Sequence, residues 1–278
     1  MSSFGGVESL PLSEKDGEVF SVDFAFEKNW FVGVDQHPSL TDAAEVHTMY
    51  KVDEVVPPAV HVLDLLSTHE CEQVMNLCDK FGFRQNGNRP ASLAWVTLPE
   101  WTDAIRDRLI NLEGQPYGPC PHINHRWRVY KYGADCELPK HMDRSCVPSY
   151  YDPEGENEEG DTEGQLRARA GKQTDISLLI YISATGHHQG GATRLYGVDG
   201  AEVDVEPVQG NAVTFPHRGK LYGEQVSAGP GGGLWHAGLP VTGGLKYIVR
   251  TDIIHSDNWN NGQPSDGETP EEEECENQ

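Results

Sequence analysis

The chain is short of bases. Its 278 residues carry 21 Lys and Arg against 44 Asp and Glu, a formal net charge of −23 at pH 7. A protein that grips a nucleic-acid backbone needs the opposite sign, so no nucleic-acid partner is expected. Long apolar runs are missing too. None approaches the roughly 20 residues of a membrane helix, so no membrane partner is expected. The opening MSSFGGVESLPLSEKDGEVF has no basic region followed by an apolar one and does not read as a secretory signal. A cytoplasmic or nuclear protein is expected on that ground. Cys-x-x-Cys is absent, and the six cysteines (Cys71, Cys78, Cys120, Cys136, Cys146, Cys275) are irregularly spaced. In a chain this long without a signal they read as free thiols rather than a disulfide framework. There is no internal repeat.

The negative charge is localised. The stretch DPEGENEEGDTEG (152–164) and the tail DGETPEEEECENQ (266–278) each hold seven acids and no base, leaving −9 for everything else. Such runs are usually solvated, so the first reads as an insertion and the second as a disordered tail. The expected organisation is an N-terminal extension (1–55), one domain (56–258) and an acidic tail (259–278).

Two helices are expected early. In STHECEQVMNLCDKFGF (67–83), Ser67 and Glu70 form a capping box. Val74, Leu77, Cys78 and Phe81 make an apolar stripe, and Gly82 stops the helix. WTDAIRDRLINLEG (101–114) carries Ile105, Leu109, Ile110 and Leu112. After Gly114 the texture changes to short apolar or alternating runs broken by Gly, Pro and Asp: WRVYKY (127–132), DISLLIYIS (175–183), TRLYGV (193–198), NAVTFP (211–216) and LKYIVRTDIIH (245–255). Strands without helices between them indicate an antiparallel sandwich or barrel. The class is therefore α+β, mainly β, with the helices covering one face of a sheet.

KHMDRS (140–145) holds His141 and Asp143 one residue apart. With 12 His and 19 Asp in the chain, chance supplies about one His-x-Asp, and there are two, the other being His255–Asp257. The pair therefore needs support from its surroundings. On a strand, positions i and i+2 share a face, so both side chains could look into a barrel. A second His would complete a two-His, one-carboxylate set that suits non-haem Fe(II) with three open positions. His187, His188, His217, His236 and His255 are the candidates. His236 stands out because Lys246 follows ten residues later across a Pro/Gly-rich turn. With the turn centred near residue 241, the two would face each other across a hairpin, and a buried Lys there would pair with a dicarboxylate. His217 has Ser227 at that offset and is read as structural.

At these blocks the chain resembles a known family, the 2-oxoglutarate- and Fe(II)-dependent oxygenases, in their prolyl 4-hydroxylase-like branch. WRVYKYGADCELPKHMD (127–143) is similar to that branch's Tyr-x-Tyr followed by His-x-Asp. QGGATRLY (189–196) resembles its Gly-Gly-x-Thr, and VEPVQGNAVTFPH (205–217) its Pro-x-x-Gly-x-x-x-x-Phe. HAGLPVTGGLKYIVRTDI (236–253) resembles its His-x-Gly-x-Pro-Val-x-x-Gly-x-Lys block. The blocks fall in the family's order over about 55–255. The resemblance implies a double-stranded β-helix (jelly roll) with flanking N-terminal helices. It implies His141, Asp143 and His236 as iron ligands, and Lys246 as partner of the 2-oxoglutarate C5 carboxylate. It implies Ser177, where the family has Thr, as a second donor to that carboxylate, and Tyr132, with Tyr130 on the same side, against cosubstrate or substrate. Arg250 shares Lys246's face by strand parity and is open to two readings, a second anion anchor or the partner of a nearby acid.

The implied activity is hydroxylation of an unactivated C–H bond, with Fe(II), 2-oxoglutarate and O2, ascorbate as a reductant, and succinate and CO2 as co-products. A peptidyl prolyl or other protein residue is the expected substrate, and the acidic stretch after Asp143 raises a basic one. A free amino acid or small metabolite is the enzyme alternative. A catalytically silent jelly roll that binds or senses is the alternative outside enzymes. Loss of a ligand or of Lys246 would mark it, and all four residues are present.

Overall fold

The apolar run at 175–183 forms a strand over Ile176–Tyr181 whose six residues are all buried. Its two faces serve different cores. Ile176, Leu178 and Ile180 join one apolar cluster, whereas Leu179 and Tyr181 join another. This period of two is what a strand buried on both sides must show. Ser177 falls on the second face.

The computed structural model describes residues 59–255 apart from 87–88, 98, 113–114, 153–164, 169–171, 185, 198–199, 218–219, 222–223 and 226–232, together with 9–11, 30–32 and 48–51. The acidic stretch beyond Asp152, most of 227–235, the 259–278 tail and most of the 1–55 extension lie outside the described residues.

In chain order the strands are β1 (Ser9–Pro11), β2 (Trp30–Val32), β3 (Thr48–Lys51), β4 (Val60–Leu63), β5 (Arg84–Asn86), β6 (Arg89–Val96), β7 (His122–Ile123), β8 (Arg126–Tyr132), β9 (Leu138–His141), β10 (Ser149–Asp152) and β11 (Gln165–Ala168). They continue with β12 (Ile176–Tyr181), β13 (His188–Gly190), β14 (Thr193–Tyr196), β15 (Glu202–Val205), β16 (Ala212–Pro216), β17 (Lys220–Leu221), β18 (Glu224–Gln225), β19 (Trp235–Gly238), β20 (Val241–Gly244) and β21 (Lys246–Ile254). The helices are α1 (Thr68–Phe81) and α2 (Pro99–Ile110).

A large antiparallel sheet runs β3-β4-β16-β12-β21-β8-β6-β5, with β7 also on β21, and a smaller one runs β15-β14-β19-β9. Take the eight strands β8, β9, β12, β14, β15, β16, β19 and β21 in chain order. The first, third, sixth and eighth lie in the large sheet, and the second, fourth, fifth and seventh in the small one. A chain that crosses between two facing sheets in this pattern is a jelly roll, as expected.

Between the sheets lies the cluster of Leu179, Tyr181, Leu195, Val213, Phe215 and Ile248 with Tyr132. The outer face of the large sheet carries the helices. Cys71, Val74 and Cys78 of α1 and Trp101, Ile105 and Leu109 of α2 pack on Val62, Trp127, Val129, Leu178 and Val249. The predicted capping box is present, with Glu70 N–H donating to Ser67 Oγ at 3.2 Å and Ser67 N–H to Glu70 Oε2 at 2.7 Å. The same Glu70 carboxylate takes a two-pronged pair from Arg108 of α2, at 2.8 and 3.1 Å, and both groups are buried. The cap thus also ties the helices together.

Two local expectations are corrected. The second helix starts at Pro99, a residue suited to a first turn, and ends at Ile110 rather than Gly114. There Asn111 Nδ2 donates back to Asp107 O, and Leu112 N–H turns back to Leu109 O. His236 and Lys246 do not face each other across a hairpin. β19 pairs with β14 and β9 in the small sheet, β20 pairs with β13, and β21 belongs to the large sheet. The nine residues between them carry the chain from one sheet to the other.

Candidate metal centre

β9 and β19 are neighbours in the small sheet, with His141 directly opposite His236. A register shift in this pair lets both Leu138 and His141 face inward although they are three residues apart. The two imidazole centroids are 4.2 Å apart. Asp143 lies two residues beyond the end of β9, so it does not share a strand with His141 as predicted, yet its carboxylate reaches the same point. Oδ1 is 3.6 Å from His141 Nε2, and Oδ2 is 3.7 Å from His236 Nε2. One donor atom from each of the three residues lies within 4.8 Å of the others.

Backbone contacts orient the rings. His141 Nδ1 faces Pro139 O at 2.8 Å, and His236 Nδ1 faces Leu234 O at 3.1 Å. A carbonyl only accepts, so each Nδ1 carries the proton and each Nε2 lone pair points at Asp143. Burial drives the His236 pKa down to about 4, with Asp143 acting in the other direction, so its ring is neutral near pH 7. Burial also works against the charge of Asp143. Arg250, His236, His141 and His217 outweigh it and hold the carboxyl well below its ordinary range. Two imidazoles and one carboxylate make a donor set that fits Fe(II) and leaves three positions for other ligands.

Lys246 begins β21, directly opposite Tyr132 on β8. Its side chain is buried, its ammonium donates to Gly191 O, and it stands 4.9 Å above the Tyr132 ring. Among the described residues no carboxylate forms an ion pair with it. Burial lowers its pKa from 10.5 to about 8, Glu206 acting in the other direction. One cavity joins Lys246 to His141, Asp143 and His236, and its walls include Tyr130, Tyr132, Leu179, Thr193 and Ile248. A buried cation without a counter-ion at one end and a metal-type donor set at the other suit a small dianion that chelates at one end.

Tyr130 and Tyr132 line this cavity on one face, as their spacing predicted. One other expectation is corrected. Ser177 does not line it. Its hydroxyl donates to Asp143 Oδ2 at 2.6 Å and contacts His217 Nε2 at 2.7 Å. It sits four strand residues from Tyr181, at the metal end rather than the Lys246 end. Arg250 reaches the cavity wall, but its guanidinium already faces two carboxylates, Asp143 at 3.1 Å and Asp252 at 3.3 Å. Its charge is thereby balanced, which favours the pairing reading over a second anion anchor. His217 is buried and lies behind the donor set, as read from the sequence.

The sequence reading missed Gly191 and Thr193. Thr193 lines the cavity, and a Cβ on Gly191 would stand 3.0 Å from Lys246 Cδ and 2.9 Å from Val241 Cγ2. The Gly-Gly-x-Thr block carried the signal, but nothing local ties it to a lysine 55 residues away.

No protein-family model and no curated protein matches the chain. Solved structures do resemble it in trace. The viral collagen prolyl hydroxylase from Paramecium Bursaria Chlorella virus-1 is 21 % identical, with 71 % of this chain and 95 % of that one covered at a TM-score of 0.45. A Pseudomonas putida prolyl-4-hydroxylase is 14 % identical, with 71 % and 92 % covered at 0.44. A prolyl hydroxylase from Trichoplax adhaerens, solved with a hypoxia inducible factor peptide fragment, is 14 % identical, with 74 % and 87 % covered at 0.43. The jelly-roll assignment itself rests on the strand order given above.

Proposed function

We propose that the chain is an Fe(II)- and 2-oxoglutarate-dependent dioxygenase that hydroxylates an unactivated C–H bond, with a protein residue, prolyl first, as substrate. The observation that carries the reading is the cavity with His141, Asp143 and His236 at one end and, at the other, the buried Lys246, with which no carboxylate among the described residues forms an ion pair. His141 Nε2, Asp143 and His236 Nε2 would hold the iron. Bound there, iron supplies the oxidising power for O2-dependent decarboxylation of 2-oxoglutarate to succinate and CO2, coupled to hydroxylation. Lys246 would hold the distal carboxylate, with the Gly191 carbonyl fixing its ammonium and the Tyr132 ring walling one side. Leu179 and Ile248 keep the middle of the cavity apolar, which strengthens the ion pair at Lys246.

His141 is the exposed member of the three, at 33 % against 5 % for His236 and 7 % for Asp143, so substrate would approach past its ring. A wider groove runs along that side past Met142, Arg144, Gln173 and Trp235. The domain would span 56–258. The test is succinate release with Fe(II), ascorbate and 2-oxoglutarate over a panel of prolyl peptides, other peptides and free amino acids. Substrate-stimulated succinate with a +16 Da peptide is expected. Stimulation by free metabolites alone would reject the protein substrate.

A further inference from the structure

Behind Asp143 lies a buried polar group that no step above uses. Ser177, His217 and Asp252 are the residue types of a nucleophilic triad, but the geometry excludes that role. Ser177 is fully buried, it does not line the cavity, and its only proton goes to Asp143 Oδ2 at 2.6 Å.

Donor and acceptor counting gives this group a direction. A carboxylate only accepts, so Ser177 Oγ must donate to it. The 2.7 Å contact between Ser177 Oγ and His217 Nε2 then requires the imidazole to donate from Nε2. That N–H also faces Asp252 Oδ1 at 3.2 Å. On the other side of the ring Nδ1 contacts Thr174 Oγ1 at 3.3 Å, and Thr174 Oγ1 takes the Cys146 N–H at 3.1 Å. The protons point from His217 through Ser177 to one oxygen of Asp143. The same oxygen faces Arg250 Nε at 3.1 Å, and Arg250 Nη2 donates to Asp252 at 3.3 Å. The Ser177 hydroxyl and the Arg250 charge that crowd Oδ2 are thus both anchored on one buried unit.

We propose that Ser177 and Arg250 are positioning residues that close the Oδ2 oxygen of Asp143, so that Oδ1 is the oxygen offered to the metal, with His217 holding the Ser177 hydroxyl in its donating direction. The inference rests on reading His141, Asp143 and His236 as a metal site. Its physical content is that the carboxylate is held in one rotation before metal arrives, so binding does not have to order it.

The test uses the full chain and Mn(II) as the probe, with free Mn(II) followed by electron paramagnetic resonance. Ser177→Ala is expected to raise the Mn(II) dissociation constant by about 10–100-fold, and Ser177→Thr, which keeps the hydroxyl, to restore it to within about threefold. Should Ser177→Ala not fold, Ser177→Cys, nearly isosteric with a weak donor, asks the same question. Ser177→Ala or Ser177→Cys binding as tightly as the wild type, while His141→Ala does not bind, overturns this inference alone. A Ser177→Thr that binds as weakly as Ser177→Ala also overturns it, because packing and not the hydroxyl would then matter. A wild type that takes no Mn(II), or a His141→Ala that binds normally, overturns the metal site itself.

Discussion

Replacing Lys246 by Met separates what the lysine does for folding from what it does for binding. The ammonium is buried, and burial lowers its pKa from 10.5 to about 8. Below about pH 8 both the folded and unfolded states are charged, and the folded state carries the full desolvation penalty. Between about 8 and 10.5 the folded state releases its proton first, so this penalty fades as pH rises. At pH 7 the shift is worth about 3 kcal/mol against the folded state. Met keeps an apolar stem of similar length. It loses the hydrogen bond to Gly191 O and the contact over the Tyr132 ring, which offsets about 1–2 kcal/mol. Lys246→Met without ligands should therefore be more stable than the wild type at pH 7 by about 1–2 kcal/mol, a rise of about 2–8 °C in Tm. With Mn(II) present, 2-oxoglutarate at a hundred times its wild-type Kd should stabilise the wild type by about 2.7 kcal/mol and the variant by much less. Differential scanning calorimetry reads both quantities. A variant less stable than the wild type without ligands, or one that gains the same 2-oxoglutarate shift, would refute the reasoning.

Glu70→Gln leaves the buried Arg108 facing no charge, so urea unfolding should show a loss of about 3–5 kcal/mol. Burial opposes the Glu70 charge, but Arg108 and the Ser67 backbone lower its pKa overall. The wild-type contribution is then present above the unfolded value and fades as pH falls through the folded one, so Glu70→Gln should flatten acid unfolding below pH 4.5. Burial takes His125 from 6.5 down to about 4, so the unfolded chain takes up a proton there that the folded chain refuses. Stability should fall from pH 6.5 to about 4 by up to about 3 kcal/mol, and His125→Gln should remove most of that slope. Gly244 has φ +74°, and a Cβ there would stand 1.9 Å from His187 O. Gly244→Ala should cost at least about 1–3 kcal/mol in urea unfolding and weaken 2-oxoglutarate binding through the displaced start of β21.

What the sequence disclosed is what local pattern encodes. The capping box at Ser67 and Glu70 needs four residues, and the apolar run at 175–183 needs nine; the box and a strand over Ile176–Tyr181 are both present. The jelly roll and the meeting of His141, Asp143 and His236 were legible through the ordered blocks. Contacts set by pairing between distant strands were not. The resemblance placed Ser177 beside the distal carboxylate, but nothing local says which end of the barrel it occupies. Its partner Asp143 is 34 residues away, and the register of β12 against β21 sets it opposite Asp252. The offset of ten between His236 and Lys246 singled out a lysine that lines the same cavity, but through the wrong geometry, a hairpin in place of a crossing between sheets. β6 escaped notice because Pro90 and the small residues Ala91, Ser92 and Ala94 blur its alternation. It is ordered by its pairing with β8, from Ala91 opposite Lys131 to Val96 opposite Arg126.

The central claim is that one cavity takes Fe(II) at His141, Asp143 and His236 and 2-oxoglutarate between that iron and Lys246. Anaerobic titration of the protein with Fe(II) and then 2-oxoglutarate tests it directly, because a 2-oxo acid chelated to Fe(II) gives a weak visible metal-to-ligand charge-transfer band. The band should appear in the wild type and be lost in His141→Ala, and Lys246→Met should need far more 2-oxoglutarate to reach it. A wild type with no band, or a His141→Ala that keeps it, would contradict the claim.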